Sequence, residues 1–419
     1  LRHDVISDKL QLRMEKPTPD PFLKDGGNSA AHKSFPSGED LGEAVVWREM
    51  TKQDINSIVC HCAQEYDANI TSREVITALQ SDLIPNVHPL REYILSLRPY
   101  TPDQPDWIDM VASQAKVKPS GEEAKGNKAR GEELWRTCFK KWFVAMVASW
   151  MRDEVVNHQV LVLIGRQGIY KTTWLEHLIP PHLRAYTCKL ANSTDLNKDE
   201  RMRIAEFGLI SLDEIDSMNN RELNQLKSII TATDVNERAA YAYTKERRIR
   251  LASFCASGNR RDFLTDITGN RRWLPFEVES ILNPFHTILP YEQLYAQAWA
   301  LAQDPLFSYW FDLDEIEVLE QHNQHFRDES NEEQLLDVYF AVPADGATNS
   351  KFLTTAEISE RLIYYGNIKH PLALSRLGVL LSQKGFLSIR KGKPQRRGWI
   401  VYERDNEDIN AERRILSRT

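Results

Sequence analysis

Two rhythms of apolar and polar positions run along the chain and predict its elements. Between residues 132 and 151, Leu134, Trp135, Cys138, Phe139, Trp142, Phe143, Met146 and Val147 recur at helical spacing and give a broad apolar face. This predicts a long helix packed as a lid or platform against a neighbouring domain. Runs that are apolar almost throughout, at 159–164, 208–212, 250–256 and 273–278, read as strands of a sheet covered on both faces. Helical stretches between them predict an α/β fold. Ahead of this region, Thr51 and Asp54 make a capping-box-like start to a helix over 51–66, with Ile55, Ile58 and Val59 on one face. Helices at 72–81 and 89–97 complete a small helical domain, and the polar, glycine-containing segment 114–130 reads as a flexible loop. After the sheet come helices at 290–302 and 312–327 and a boundary at Asp345-Gly-Ala-Thr-Asn-Ser350. Helices at 354–363 and 372–384, then strands at 385–390 and 398–402, have the order of a winged helix-turn-helix.

Four regions follow from this pattern. Residues 1–45, rich in Pro, Gly, Ser and charge, read as an extended arm with little core of its own. Residues 46–152 read as a helical N-terminal domain, 153–330 as the α/β domain with a helical extension, and 331–419 as the winged-helix-like domain. At 419 residues the chain is too long for a single core, in line with that division.

Composition narrows the setting. No apolar run approaches the length of a membrane span and no signal peptide opens the chain, so no membrane partner is expected. Cys60, Cys62, Cys138, Cys188 and Cys255 are scattered, with no second pair or His cluster to complete a zinc site. They read as reduced thiols of a cytoplasmic protein. A net charge of −7 argues against indiscriminate polyanion binding yet permits local basic surfaces. The chain begins with Leu1, so a functional part upstream is expected.

The chemistry concentrates after the first apolar run. Gly165-Arg-Gln167-Gly168-Ile169-Tyr170-Lys171-Thr172-Thr173 links it to a helix. Against the phosphate-loop pattern G-x-x-x-x-G-K-[ST], Gly165 opens the loop, Lys171 and Thr172 close it, and Tyr170 stands where a second Gly belongs. Such a loop holds ATP: its backbone N–H groups face the phosphates, Lys171 neutralises them and the Thr172 hydroxyl binds Mg²⁺. The second run ends in Asp213-Glu214-Ile-Asp216, delivering acids to the carboxyl edge of a parallel sheet. There Asp213 would join the Mg²⁺ shell and Glu214 would orient or deprotonate the attacking water. Taken singly, the two acids would be read as caps of the next helix.

Three further features carry alternatives. Asn259, in Cys255-Ala-Ser-Gly-Asn259, ends the third core strand as either a phosphate sensor or a turn former. In Thr268-Gly-Asn-Arg271-Arg272-Trp273, either guanidinium would serve as an arginine finger acting on a neighbouring subunit, or both form surface ion pairs. The segment 236–250 reads as a hairpin that carries Lys245, Arg247 and Arg248 into a pore along a phosphate backbone, or as a solvated charged hairpin. In the wing, Arg390, Lys391, Lys393, Arg396 and Arg397 form a dense basic turn that meets nucleic acid or a protein partner.

The order Gly165-Arg-Gln-Gly-Ile-Tyr-Lys-Thr-Thr, Leu212-Asp-Glu-Ile-Asp216, Ser257-Gly-Asn259 and Thr268-Gly-Asn-Arg-Arg-Trp273 resembles the virulence-associated E P-loop ATPases of phages and mobile elements. That family is similar to superfamily 3 helicases, and the resemblance spans about residues 45 to 330. It implies a P-loop NTPase core of the AAA+ kind and ATP hydrolysis with Mg²⁺. It further implies a ring-shaped homo-oligomer, a hexamer, that unwinds or translocates on single-stranded or forked DNA during replication, with a primase-like domain upstream. By the same resemblance Lys171 and Thr172 carry the phosphate-loop roles, Asp213 and Glu214 the acidic-strand roles, Asn259 the sensor role, and Arg271 or Arg272 the finger role. Tyr170 departs from the family's stricter loop, which bears on nucleotide affinity more than on fold. Two rivals remain: an ATP-switched initiator, helicase loader or defence component that binds DNA without unwinding it, and a scaffold with a degenerate loop.

Overall fold

A computed structural model of the chain describes residues 1–14, 46–66, 68–118, 128–190, 198–237, 246–264, 270–327, 331–343, 350–366, 373–392, 395–405 and 408–409. The fold is mixed α/β around a six-stranded sheet. Its strand order is Ala115–Val117, Trp273–Ile281, Val160–Ile164, Ser253–Gly258, Leu209–Leu212, Thr187–Leu190. All pairings are parallel except that of the Ala115–Val117 edge strand, which runs antiparallel to Trp273–Ile281. Every residue of Val160–Ile164, Leu209–Leu212 and Ser253–Gly258 is buried, as strands covered on both faces require.

Because successive side chains point to opposite faces, the sheet feeds two cores. Leu161, Leu163, Cys255, Leu274 and Phe276 enter the core shared with the helices Lys128–Met151, Lys171–His177 and Tyr291–Gln303. Val160, Val162, Ile164, Phe254 and Ala256 face the other, built with Lys198–Glu206 and Asn220–Thr231. Residues 141–150 of the long helix are buried on all sides. A helix without a polar face must sit inside a core, so this platform is continuous with the sheet, and no gap in packing marks residue 152. Its indoles anchor it: Trp142 and Trp150 donate to the carbonyls of Phe254 and Gly208, each at 3.0 Å.

Two expectations change, and a third holds in part. Residues 1–14 are not part of an extended arm: Arg2–Asp4 and Lys9–Met14 are strands of a second, four-stranded sheet completed by Val46–Glu49 and Asn86–Val87. Asp4 is buried there and accepts hydrogen bonds from Tyr186 Oη at 2.8 Å, Ile6 N at 3.0 Å and Ser7 Oγ at 2.6 Å. The rest of the proposed arm, 15–45, lies outside the described residues. Within the proposed loop 114–130, Ala115–Val117 is the sheet's edge strand and the long helix begins by Lys128. Finally, the helix Lys52–Tyr66 starts at the expected Thr51–Asp54 cap, with Thr51 N donating to Asp54 Oδ2 at 2.7 Å. None of its residues is buried, so Ile55, Ile58 and Val59 are only partly covered.

A third core lies at the C-terminal end. It joins the helices Asn331–Tyr339, Thr355–Gly366 and Leu374–Gln383 to strands Ser350–Leu353, Leu387–Lys391 and Arg396–Glu403, the last pairing antiparallel with both others. Gly398 lets this packing close: a Cβ there would lie 2.5 Å from Phe352 Cζ and 2.7 Å from the Leu353 carbonyl. Among the described residues no helix is long and apolar enough to cross a membrane, and all five cysteines are free thiols.

Candidate functional site

The carboxyl edge of the parallel sheet opens into a cleft of about 490 Å³. Three adjacent strands bring its walls together, since Val160–Ile164 is followed by the 165–170 loop, Leu209–Leu212 by the acids, and Ser253–Gly258 by Asn259. Gln167, Gly168, Tyr170, Lys171, Thr172, Thr173, Asp213, Glu214 and Asn259 all line it, together with Ser257 and Gly258. Of the expected loop residues, Gly165 and Ile169 do not. Gly165 is held against the adjacent strand Trp273–Ile281, where a Cβ would come within 2.7 Å of the Val278 carbonyl, and its N–H donates to Gly258 O at 3.1 Å. Ile169 packs against the core that includes the long helix.

Polar contacts join the three walls. Lys171 Nζ donates to the carbonyls of Gly165 and Arg166, both at 2.7 Å, and to Asn259 Oδ1 at 3.3 Å. Burial pushes its pKa down, while the nearby Asp216 carboxylate acts in the opposite direction. Thr172 Oγ1 donates to Asp213 Oδ1 at 2.9 Å and lies 2.9 Å from Ser257 Oγ, which reaches the same carboxylate oxygen at 3.2 Å. Asp216 accepts the backbone N–H groups of Asn259 and Arg260, each at 3.1 Å, so this third acid fixes where Asn259 leaves its strand.

Ser257 and Asp216 were not singled out by the sequence pattern. A hydroxyl two positions before Asn259, on a strand otherwise apolar, and the last acid of Asp213-Glu214-Ile-Asp216 were the available signals. Two non-glycine backbones at the cleft are left-handed: Tyr170 has φ 67° and Glu214 φ 53°. Both conformations are unusual for residues with a Cβ and favour glycine, which is the residue the phosphate-loop pattern places at position 170.

A single carboxylate flanked by two hydroxyls suits Mg²⁺, which takes one or two protein oxygens and keeps its remaining positions for water and phosphate. Among the described residues no group of three or more His, Cys, Asp or Glu side chains could hold a metal alone.

The expected basic residues are dispersed. Arg271 and Arg272 immediately precede Trp273, which pairs with Val160 at the start of its strand, whereas the loop leaves from Ile164 at the end. They therefore sit at the opposite edge of the sheet and do not line the cleft. The hairpin is present, with Asp234–Glu237 pairing antiparallel to Glu246–Ile249. Its basic residues do not all serve a tip: Arg248 is largely covered and pairs with Asp8 at 3.1 Å and Glu206 at 3.7 Å. Its neighbour Arg247 points to the other face, because side chains alternate along a strand, and pairs with Asp234 at 2.8 Å. Lys245 lies outside the described residues. On the C-terminal hairpin Arg390 pairs across the strands with Arg397, and Lys391 with Arg396, so each face carries two exposed cations. Lys393 lies outside the described residues.

With this geometry in hand, residues 125–328 match the model of the virulence-associated protein E-like domain. That stretch is a virulence-associated protein E-like domain. It contains the whole cleft and the five parallel strands of the six-stranded sheet, while the basic C-terminal hairpin lies beyond it. Among solved structures, the chain is similar to the apo structure of NrS-1 C terminal region (305-718), at 10% identity and TM-score 0.44, covering 85% of this chain and 92% of that one. The A form apo structure of the same region gives 10% identity, TM-score 0.40 and coverages of 86% and 92%. A further A form structure gives 10%, 0.43, 85% and 92%. No curated protein matches the chain.

Proposed function

We propose that the virulence-associated protein E-like domain is a P-loop NTPase of the AAA+, superfamily 3-like kind, and that the chain is an ATP-dependent DNA helicase or translocase working as a ring-shaped homo-oligomer in replication of a phage or mobile element. The observation that carries this reading is the convergence of Lys171, the Thr172–Asp213–Ser257 cluster and Asn259 on one cleft at the carboxyl edge of a parallel sheet. Lys171 would exchange its two loop carbonyls for phosphate oxygens. Thr172 and Asp213 would hold Mg²⁺, which when bound screens the phosphate charge and acts as a Lewis acid. Glu214, exposed at the cleft and held by an unusual backbone, would orient the attacking water and take up its proton. Asn259, next to Lys171 and steadied by Asp216, would report the state of the terminal phosphate.

Two features support assembly and DNA. Because Arg271 and Arg272 stand at the sheet edge away from their own cleft, a finger role requires the cleft of a neighbouring copy. The C-terminal unit would be a winged helix whose hairpin places like charges directly opposite each other, an arrangement that is unfavourable alone and relieved by a polyanion. Mass measurement and phosphate release in the presence of ATP, Mg²⁺ and single-stranded DNA test the proposal together. The expected result is a closed oligomer whose hydrolysis rises with DNA. A monomer whose hydrolysis ignores DNA would overturn the motor reading.

A further inference from the structure

The cleft continues past the phosphate loop onto exposed aromatic surface. Tyr170 lines the cleft and is 38% exposed, and its ring meets Phe285 edge to face, with centroids 6.5 Å apart and planes at 80°. Phe285 is 69% exposed. It is nevertheless held in place: its ring stands edge-on to His177 at 5.3 Å, and its N–H donates to Asn283 Oδ1 at 3.0 Å. His177 lies in the last turn of the helix that Lys171 begins, so the aromatic group is tied to the same element as the phosphate loop. An edge-to-face pair leaves ring faces open to a third planar group.

Tyr170 reaches this place at a cost. Its φ of 67° is a conformation that glycine adopts freely and that disfavours an L side chain by about 1–2 kcal/mol. What the strained backbone delivers is an aromatic ring at the mouth of the cleft.

We propose that Tyr170 and Phe285 form the subsite for the heteroaromatic base of a nucleoside triphosphate whose phosphates lie on the Lys171–Thr172 loop. The two rings offer stacking surface, which recognises the base by its π-face. This rests on the nucleotide reading above and adds to it the part of the ligand beyond the phosphates.

Isothermal titration with ATP and, separately, with inorganic tripolyphosphate, both with Mg²⁺, tests the subsite in wild type, Phe285→Ala and Tyr170→Gly. Phe285 is exposed, and glycine relieves the backbone at 170, so both variants should keep the wild-type melting temperature or exceed it. Wild type should bind ATP at least about ten-fold more tightly than tripolyphosphate, the scale of one stacked base. Each variant should lose most of that margin, and Phe285→Ala, which leaves the loop intact, should do so with its affinity for tripolyphosphate unchanged. If both variants keep the wild-type preference, or wild type has none, the base subsite is wrong while the phosphate site stands. If wild type binds neither ligand, the nucleotide reading itself fails.

Discussion

At the scale of single residues, the site is defined as much by backbone as by side chains. Tyr170 occupies a left-handed position that a glycine would fill without strain. Tyr170→Gly should therefore not destabilise the protein, whereas Tyr170→Val, β-branched at positive φ, should cost about 1 kcal/mol or more. Urea midpoints compare the two, and an equal loss in both would contradict the assignment. This strain was not legible in the sequence, where Tyr170 read only as a departure from a pattern. That Lys171, Thr172 and Asp213 would meet was legible, because each follows an apolar run that ends at the same edge of the sheet. His322 poses a separate residue-scale test. Burial holds its pKa down to about 4 from an ordinary 6.5, and the ring lies 2.7 Å from the Pro275 carbonyl, to which neutral Nε2–H donates. The unfolded chain takes up a proton that the folded chain refuses, so this contribution is complete above about pH 6.5 and lost as pH falls toward 4. His322→Gln, which retains an N–H donor, should flatten the melting-temperature profile over that window. An unchanged slope would show that another group sets it.

At the scale of elements, long-range partners decide what local pattern cannot. Arg250 read as the first residue of a core strand, yet that strand begins at Ser253 and Arg250 is buried before it. Its guanidinium donates to the carbonyls of Ile230 and, at 3.3 Å, Ala232 at the end of the helix Asn220–Thr231, and to Asn157 O at 2.8 Å. Burial lowers its pKa to about 9, still leaving it charged at neutral pH, which suits the negative end of a helix. Arg250→Met should strip these carbonyls of their donor and destabilise the fold by about 3 kcal/mol. A denaturation midpoint within error of wild type would show that water or other donors replace it. The same limit explains Arg2–Asp4, whose polar residues look like linker until Asn86–Val87 and Tyr186 are brought alongside. By contrast, Val160–Ile164 and Leu209–Leu212 announced themselves, because a strand buried on both faces must be apolar throughout.

At the scale of the whole molecule, the parallel sheet separates the two groups of candidate residues by edge. Its carboxyl edge gathers the loop, the acids and Asn259 into one cleft, and its other edge carries Arg271 and Arg272. The long buried helix ties the N-terminal helices to the sheet through one continuous core, while the basic hairpin belongs to a core of its own. The order of motifs foretold the cleft; the route by which Arg248 is drawn to Asp8 and Glu206 depended on segments far apart in the chain. Every role proposed for these residues depends on the cleft turning over nucleotide. Initial rates of Mg²⁺-dependent ATP hydrolysis by wild type and Lys171→Ala test it most directly. Measurable turnover is expected in wild type and a loss of about 100-fold or more in the variant, the scale of removing one charge-stabilising donor, whereas equal rates in the two proteins would contradict a nucleotide-hydrolysing cleft.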